Sequence, residues 1–334
     1  MVISKKRWWA AVLTVFLLAT VLTGCGSQKK EEASTVELNA DGLYEFSFPT
    51  VPWADPVYIA EYQGFFKEQG LKANFSGFLP NINDIVTGVA SGNFPFACQH
   101  ASTLAIGISN GYPIKAIAAG WATSKEKPMM SYVALENSDI QSIADLKGHK
   151  VGIPSITETY WLETKDKFQL TSDELDEVVL SYEKMGAALK AGQVDAIYII
   201  NPFTEALMSE PGYRIFGTLV DVVGEEKGWP QQCVNLDFAK KHPDIVKKYV
   251  TALANANDWA IAHPDEAGAV IAKALGVDAS LGRIYNPVFP PHALIDKGNA
   301  ELWLRLADKF HLLARPVTLE ELYTNEYNPY YQGE

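Results

Sequence analysis

The chain has 334 residues, of which 48% are hydrophobic and 20% charged, a composition typical of a globular protein rather than a disordered one. Its formal net charge of −12 argues against nucleic acid as a partner, and its length predicts about two domains. Because the sequence contains neither a CxxC motif nor a cluster of His and Cys, we expect no metal site and no cofactor.

The first segment of the chain has the layout of a secretory signal. Three basic residues at 5–7 precede an apolar run over 8–22, which is short for a membrane span. The run ends in Leu-Thr-Gly-Cys, which resembles the bacterial lipobox, where the signal is cut before the cysteine and the thiol is lipidated. We therefore predict a signal peptide over 1–24 and a lipid anchor on Cys25, with an uncleaved membrane anchor as the alternative. Either arrangement places the rest of the chain outside the cytoplasmic membrane.

Cleavage would remove three cationic side chains and no acidic ones, which changes the net charge from −12 to −15. Residues 25–42 are mostly polar and show no apolar period, so we predict a flexible tether there. Cys98 and Cys233 are the remaining cysteines. A disulfide between them is one interpretation in an oxidising compartment, but we favour two small buried residues.

Strands and helices alternate from residue 44 to about residue 235, which predicts an α/β fold. Apolar residues then recur with helical spacing, as at Ile245, Tyr249 and Leu253, so the C-terminal third is expected to be mainly helical. The Tyr-rich end of the chain lacks that spacing and predicts surface coil. The clearest predicted strands lie near residues 44–48, 94–98, 112–121, 130–135, 151–154, 178–182 and 193–200.

One local plan occurs twice, about a hundred residues apart. The segments "VTGVASGNFPFACQHAS" and "MGAALKAGQVDAIYIINPF" each combine a helix, a Gly-ended turn, an apolar strand and a polar tip. Two α/β lobes built on the same plan would produce this pattern.

Several segments occur in an order that resembles a known family: "VYIAEYQGFFKEQGL", "SGNFPFACQ", "GYPIKAIAAG", "SIADLKGHKVGIPS", "LKAGQVDAIYIINPF" and "ALANANDWAIAHPDEA". Together with the lipobox they are similar to the substrate-binding lipoproteins of NitT/TauT-type ABC importers, over roughly residues 44–320. That family implies an α/β, two-lobe periplasmic-binding-protein fold of type II, with two hinge strands and a ligand cleft between the lobes. Ligand binding would then close the hinge.

The resemblance also implies domain boundaries. Lobe 1 would be discontinuous and comprise residues 43–134 plus 232–334, whereas lobe 2 would span 135–231. The chain would cross between the lobes near 130–137 and return near 229–236. We expect a monomer.

The stretch "VGIPSITETYWL" predicts a candidate site in lobe 2. The stretch predicts a strand that ends at Pro154 and a helix that begins soon after it, so free N–H groups and hydroxyls gather where α/β sheets hold ligands. Ser155, Thr157 and Glu158 are the candidate ligand-binding residues. The alternative is a capping box in which Ser155 and Glu158 cap the helix without a ligand. Glu158 would compete with an anionic ligand or pair with an amine.

The polar tips of the repeated plan supply further candidates. Gln99 and His100 end a lobe 1 strand, with Ser102 as an expected helix cap, and Asn201 ends the matching lobe 2 strand. Trp53 follows the first strand, where the family commonly has a ligand-facing residue. For His100 the alternative is a solvent-facing strand end, and for Trp53 a loop anchor over the core. Trp121 and Trp229 would stack on a planar ligand or, as we favour, pack in the core or hinge.

The resemblance implies an extracytoplasmic solute-binding lipoprotein that delivers a small anionic or zwitterionic ligand, such as a sulfonate or carboxylate, to a membrane permease driven by a cytoplasmic ATPase. The alternatives are a pyrimidine-precursor binding protein and the ligand-binding partner of a membrane sensor. A related enzyme branch makes a pyrimidine phosphate and consumes one of its own histidines. The lipobox and the scattered cysteines argue against that branch, and the sequence contains no GxSxG, HExxH or P-loop motif.

Overall fold

The computed structural model describes residues 36–79, 84–155, 158–228, 230–276 and 287–333, except for the side chain of Phe78. The predicted signal peptide, Cys25 and most of the predicted tether lie outside these ranges. Within them, no helix combines the length and the apolar character needed to cross a bilayer. Nor do three His, Cys, Asp or Glu side chains of the described ranges meet in a group that could hold a metal ion.

The strands form at the apolar, β-branched and aromatic runs of the sequence, as their alternation with turn residues predicted. In chain order, the strands of the described residues are β1 (Tyr44–Thr50), β2 (Leu71–Phe78), β3 (Phe96–His100), β4 (Ile114–Ala119), β5 (Met130–Leu135), β6 (Lys150–Ile153), β7 (Asp176–Val179), β8 (Ala196–Ile200), β9 (Tyr213–Thr218) and β10 (Pro230–Asn235).

Helices separate most of these strands, and most of the described residues after β10 are helical, which confirms the prediction for the C-terminal third. The described helices are α1 (Pro56–Tyr62), α2 (Phe65–Glu68), α3 (Asp84–Ala90), α4 (Ala101–Ser109), α5 (Thr159–Lys167), α6 (Tyr182–Lys190), α7 (Phe203–Met208), α8 (Leu219–Val223), α9 (Leu236–Lys241), α10 (Pro243–Ala262), α11 (Pro264–Ala274), α12 (Lys297–Lys309) and α13 (Leu319–Leu322).

The strands separate into two groups, which we use to define lobe 1 and lobe 2. Lobe 1 contains the parallel pair β1-β2 and a three-stranded sheet of order β3-β10-β4, in which β10 is antiparallel to both neighbours. Lobe 2 contains a five-stranded sheet of order β7-β6-β8-β5-β9. Its strand β6 is parallel to β7 and β8, whereas β5 is antiparallel to β8 and β9.

The sheet to which a strand belongs shows on which side of the lobe boundary it lies. The predicted first boundary, 134/135, falls inside β5, which pairs along its length with β8 of lobe 2. The predicted return near 229–236 overlaps β10, which belongs to the lobe 1 sheet. Sheet membership therefore favours crossings over 120–129 and 224–229, in place of 130–137 and 229–236.

An aromatic cluster and a buried polar chain organise the lobe 1 core. The rings of Phe96 and Tyr249 stack with their centroids 3.9 Å apart, which places α10 against β3. The Tyr249 hydroxyl donates to Gln232 Oε1 at 2.8 Å, and Gln232 Nε2 donates to Asp55 Oδ1 at 2.9 Å. Asp55 in turn accepts from the backbone N–H of Val57 and caps α1. The network satisfies polar groups that would otherwise be costly to bury.

The repeated local plan is present in both lobes. Gly92 ends the turn after α3 with φ at 78°, and Gly192 ends the turn after α6 with φ at 66°, a region that favours glycine. The next N–H in each turn, at Asn93 and Gln193, donates to a helix carbonyl at 2.9 Å. Each turn then leads into a strand with every residue buried, β3 or β8.

Other local predictions have mixed outcomes. Cys98 and Cys233 are both free and buried, which confirms the interpretation that we favoured. The apolar spacing of Ile59, Tyr62 and Phe66 predicts one helix over 58–66. The structure has two helices there, α1 and α2, because Gly64 between them adopts φ of 89°. The Tyr-rich end is not wholly surface coil, since Thr324 donates to the carbonyl of Ala116 on β4 at 2.9 Å.

Candidate functional site

A cavity of about 820 Å³ lies between the two lobes. A cavity of this size suits a small organic ligand, because ligand pockets commonly measure roughly 300–1,000 Å³. The chain brings six of the predicted residues to it: Trp53, Gln99, His100, Ser102, Ser155 and Glu158. The first four come from lobe 1 and the last two from lobe 2, so the cavity joins the ends of strands from both sheets.

Two of the predicted residues do not join this set. Thr157 lies outside the described residues. Asn201 is not part of the described lining, because its side chain is held elsewhere: Nδ2 donates to the carbonyl oxygen of Pro128 at 3.3 Å. Trp121 is buried and does not line the cavity, in agreement with core packing, and Trp229 is another residue that the structure leaves undescribed.

The N-terminus of α4 forms the lobe 1 wall of the cavity. His100 is its N-cap, and Nδ1 accepts from the backbone N–H of Ser102 at 3.3 Å and lies 2.8 Å from the Ser102 hydroxyl. Ser102 is therefore in the first turn and is not the cap that we predicted. Since Nδ1 accepts from this N–H, the proton of the neutral imidazole is assigned to Nε2.

His100 is enclosed rather than facing water. Its ring lies edge-on to Tyr160 and Trp303, with centroids 4.4 Å away in both cases. Burial lowers the pKa of His100 to about 3, because the surroundings disfavour the charged imidazolium. The side chain is consequently neutral at physiological pH, and the predicted solvent-facing alternative is wrong.

The N-terminus of α5 forms the opposing wall. Glu158 is its N-cap and accepts from the backbone N–H groups of Tyr160 and Trp161, at 3.1 and 3.0 Å. The predicted capping box centred on Ser155 is therefore wrong, because Glu158 occupies the N-cap position itself instead of the third helical position. Two of the N–H groups that we expected to face a ligand are already bonded to this carboxylate.

Glu158 is half-buried and belongs to the lining of the cavity. Burial raises its pKa to about 8, although the two N–H bonds act in the opposite direction. At neutral pH the carboxyl group is thus mostly protonated, and a modest rise in pH would give it a negative charge.

A hydrogen bond joins the two walls directly. The Thr159 hydroxyl, in the first turn of α5, donates to the Ser102 hydroxyl of α4 at 2.9 Å. The Tyr160 hydroxyl donates to the carbonyl oxygen of Gly228, on the segment that returns to lobe 1, at 3.1 Å. The hydrogen bond between Thr159 and Ser102 forms only when the two lobes are close together.

Sequence reasoning missed part of the lining. Thr159, Tyr160 and Tyr182 line the cavity, although none of the three was among the predicted site residues. Tyr182 follows β7, and the rule that ligands gather beyond the carboxyl ends of parallel strands would have found it. Met129 and Met130 were not detectable in this way, because they begin an antiparallel strand.

Comparison with known proteins places this geometry in context. Residues 52–267 match the protein family described as NMT1/THI5 like. The taurine-binding periplasmic protein of Escherichia coli (strain K12) is 26% identical over 220 residues, which cover 64% of this chain and 65% of the relative. The 4-amino-5-hydroxymethyl-2-methylpyrimidine phosphate synthase THI11 of Saccharomyces cerevisiae is 22% identical over 240 residues, which cover 65% and 66%. The chain thus spans less than two thirds of the length of these curated relatives.

The fold is shared with solved structures. The crystal structure of the periplasmic aliphatic sulphonate binding protein SsuA from Escherichia coli superposes with a TM-score of 0.70 at 19% identity. The match covers 84% of this chain and 92% of that one. It confirms the predicted α/β fold with two lobes and carries no conclusion about the ligand.

Proposed function

The chain belongs to the NMT1/THI5-like family, and from this premise we propose that it is the solute-binding protein of an ABC importer. It captures a small organic molecule outside the cytoplasmic membrane and delivers it to a membrane permease, which a cytoplasmic ATPase drives. The relatives named as taurine- and sulfonate-binding proteins support this function.

One observation carries the proposal: a cavity between two lobes is lined from both sides by residues at strand ends and helix N-termini. A site divided in this way is complete only when the lobes approach. Ligand binding energy would therefore favour closure, since a ligand that contacts both lobes has a higher affinity for the closed state.

The lipid anchor remains part of the proposal. A lipidated Cys25 and a flexible tether over 25–42 would keep the protein near its permease without fixing its orientation. A monomer suffices for this role. Docking to a membrane sensor in place of a permease would use the same ligand chemistry.

The ligand class was predicted as anionic or zwitterionic, and the cavity favours the second. Its described lining includes the carboxyl groups of Glu158 and Glu183 and no Lys or Arg. A bare anion held there would lack a cationic partner. A zwitterion, or a ligand with a neutral polar group such as a pyrimidine precursor, suits this lining better.

The synthase relatives raise the alternative of an enzyme, and we propose instead that this chain has no catalytic activity. The thiol of Cys98 is fully buried in β3, and burial raises its pKa well above the usual value, so it is not an activated nucleophile. His100 is enclosed by aromatic rings. Formation of a pyrimidine phosphate by the purified protein would contradict the proposal.

A thermal-shift screen tests the function. The purified protein is heated with taurine, alkanesulfonates, benzoate, amino acids, nitrate, bicarbonate and aminopyrimidines. A ligand at a hundredfold excess over its Kd adds about 2.7 kcal/mol to the stability and raises Tm by several degrees. Absence of a shift in every class would contradict the proposal.

A further inference from the structure

Three of the helix N-terminal N–H groups that could hold an anion are occupied by side chains of the protein itself. Glu158 accepts two N–H bonds at the N-terminus of α5, and His100 accepts one at the N-terminus of α4. The positive ends of both helices therefore face side chains of this chain rather than empty space. An incoming sulfonate or carboxylate would have to displace Glu158 or lie beside it.

The rest of the lining offers an anion little support. Its described residues contain no cationic side chain, and the undescribed stretches that adjoin it in sequence, 80–83, 156–157 and 229, contain neither Lys nor Arg. Aromatic rings of Trp53, Tyr112, Tyr160 and Tyr182 also line the cavity. Aromatic faces attract cations, because the electrons of the ring give each face a negative potential.

From this arrangement we infer that Glu158 binds a cationic nitrogen of the ligand, an ammonium group or a protonated heteroaromatic ring, so that the cargo is a cation or a zwitterion with an apolar or aromatic body. The inference rests on the proposed solute-binding function and specifies its ligand class. It assigns to Glu158 two roles that use different oxygen lone pairs: cap of α5 and acceptor for the ligand.

The surroundings of Glu158 make this contact dependent on pH. The titratable groups that face it are tyrosines from four elements: Tyr132 of β5, Tyr160 of α5, Tyr182 of α6 and Tyr198 of β8. All four have pKa values raised by burial and stay neutral. His100 across the cavity is neutral too, and Glu183 is the other carboxyl-bearing residue of the described lining.

A cationic ligand would therefore meet a carboxyl group that is mostly protonated at pH 7, because burial raises its pKa to about 8. Binding would release that proton, since a positive charge nearby favours the carboxylate. Affinity for a cation then increases as the pH rises from 6.5 to 8, whereas affinity for an anion decreases over the same interval.

Three probes that share one ring and differ in charge test the inference: benzylamine, benzyl alcohol and phenylmethanesulfonate. Binding to the purified protein is measured by calorimetry at pH 6.5 and pH 8.0, in two buffers of different ionisation enthalpy. We expect benzylamine to bind most tightly, to gain about tenfold in affinity at the higher pH, and to release a proton on binding.

Two variants separate the role of Glu158 from a general effect of removing a carboxylate. Glu158→Gln keeps an acceptor oxygen for the cap, and it should weaken benzylamine binding at pH 8.0 by about tenfold or more and remove its pH dependence. Glu205→Gln is the matched control. Glu205 is another half-buried carboxylate with a pKa raised by burial, but it lies outside the described lining, so its substitution should change neither quantity.

The outcomes distinguish the inference from the function on which it rests. If phenylmethanesulfonate binds and benzylamine does not, the inference is wrong and the solute-binding function stands. Equal benzylamine affinity in wild type and Glu158→Gln, with unchanged melting of the variant, would also overturn it. If no probe binds and the wider thermal-shift screen is silent as well, both proposals fail.

Discussion

The N-termini of α4 and α5 face each other across the cavity, and each is capped by a titratable side chain of its own. In lobe 1 the cap is His100, and in lobe 2 it is Glu158. Burial moves the two pKa values in opposite directions, to about 3 and about 8, so that both caps are neutral at pH 7. The two caps nevertheless differ in their surroundings, and this difference gives His100 a structural role and Glu158 a role in ligand binding.

His100 is packed between two aromatic rings and has 9% of its surface exposed, which makes it a wall of the cavity with a fixed charge state. Glu158 keeps more exposure and changes charge close to physiological pH. Of the two caps, the one in lobe 1 therefore fixes the geometry of the site, and the one in lobe 2 sets its charge.

The largest expected effect is on stability, from removal of the lobe 1 cap. His100→Ala should lower the free energy of unfolding by about 3 kcal/mol, because it removes both the cap of α4 and the ring that fills the space between Tyr160 and Trp303. Chemical denaturation measures the loss. Thr103→Ala, a half-buried neighbour in the first turn of α4, serves as control and should cost under about 1 kcal/mol. Similar losses in the two variants would show that His100 is not a structural wall.

The second prediction concerns pH and follows from the opposite pKa shifts. The lowered pKa of His100 gives stability that is present above about pH 6.5 and is lost toward pH 3. The raised pKa of Glu158 gives stability that is present below about pH 4.5 and is lost as the pH rises to 8. Burial raises the pKa of Asp55 from 3.8 to about 6. Its contribution to stability is therefore lost between these two pH values.

Above pH 6.5, Glu158 is therefore the main source of pH dependence among these three groups. Between pH 6.5 and 8 the stability of the ligand-free protein should fall, by at most about 1.4 kcal/mol per pH unit. Denaturation curves of Glu158→Gln should be flatter over the same interval. A wild-type profile that parallels the variant would mean that the pKa of Glu158 is not raised.

The third prediction tests the hydrogen bond between the first turns of α4 and α5. Thr159 and Ser102 are joined by a hydroxyl hydrogen bond across the cavity, and a double-mutant cycle with Thr159→Val and Ser102→Ala measures their coupling. We expect a coupling of about 0.5–1.5 kcal/mol in ligand affinity, since the bond is made only in the closed arrangement. Additive effects would indicate that the bond does not contribute to closure.

The smallest effect is expected away from the cavity, where the same two lobes meet again. Lys309 of α12 contacts Glu163 and Asp166 of α5, at 2.8 and 2.7 Å. Because these side chains are partly exposed, Lys309→Ala should change stability or ligand affinity by at most about 1 kcal/mol. Lys147→Ala, which breaks a surface ion pair with Glu174 inside lobe 2, is the control and should leave affinity unchanged. A larger effect of Lys309→Ala on affinity would place a second closing contact at α12.

The comparison also shows what the sequence was able to predict. The helix, turn and strand plan was visible in both lobes because glycines at 92 and 192 and the apolar residues of β3 and β8 are local signals. The positions of Gln99 and His100 at a strand end followed from the same pattern. The orientation of Asn201 did not, since it depends on the carbonyl of Pro128, more than seventy residues away in sequence.

The cap of α5 illustrates a second limit. Ser155, Thr157 and Glu158 all carry side-chain oxygens that are able to cap a helix, and local sequence does not choose between them. The choice of Glu158, and the rise in its pKa, depend on the buried tyrosines that β5, α6 and β8 place around it. Those neighbours come together only in the folded lobe.

The central claim is that the ligand binds between the two lobes, and the most direct test is to map which segments a ligand protects from hydrogen exchange. Hydrogen exchange, followed by mass spectrometry, would be measured with and without the compound that raises Tm most in the thermal-shift screen. Our account predicts slower exchange in both 99–104 and 158–162, the two helix N-termini that enclose the cavity. Slowing confined to one lobe, or to the separate groove lined by Val223, Leu302 and Val317, would contradict a ligand site between the lobes.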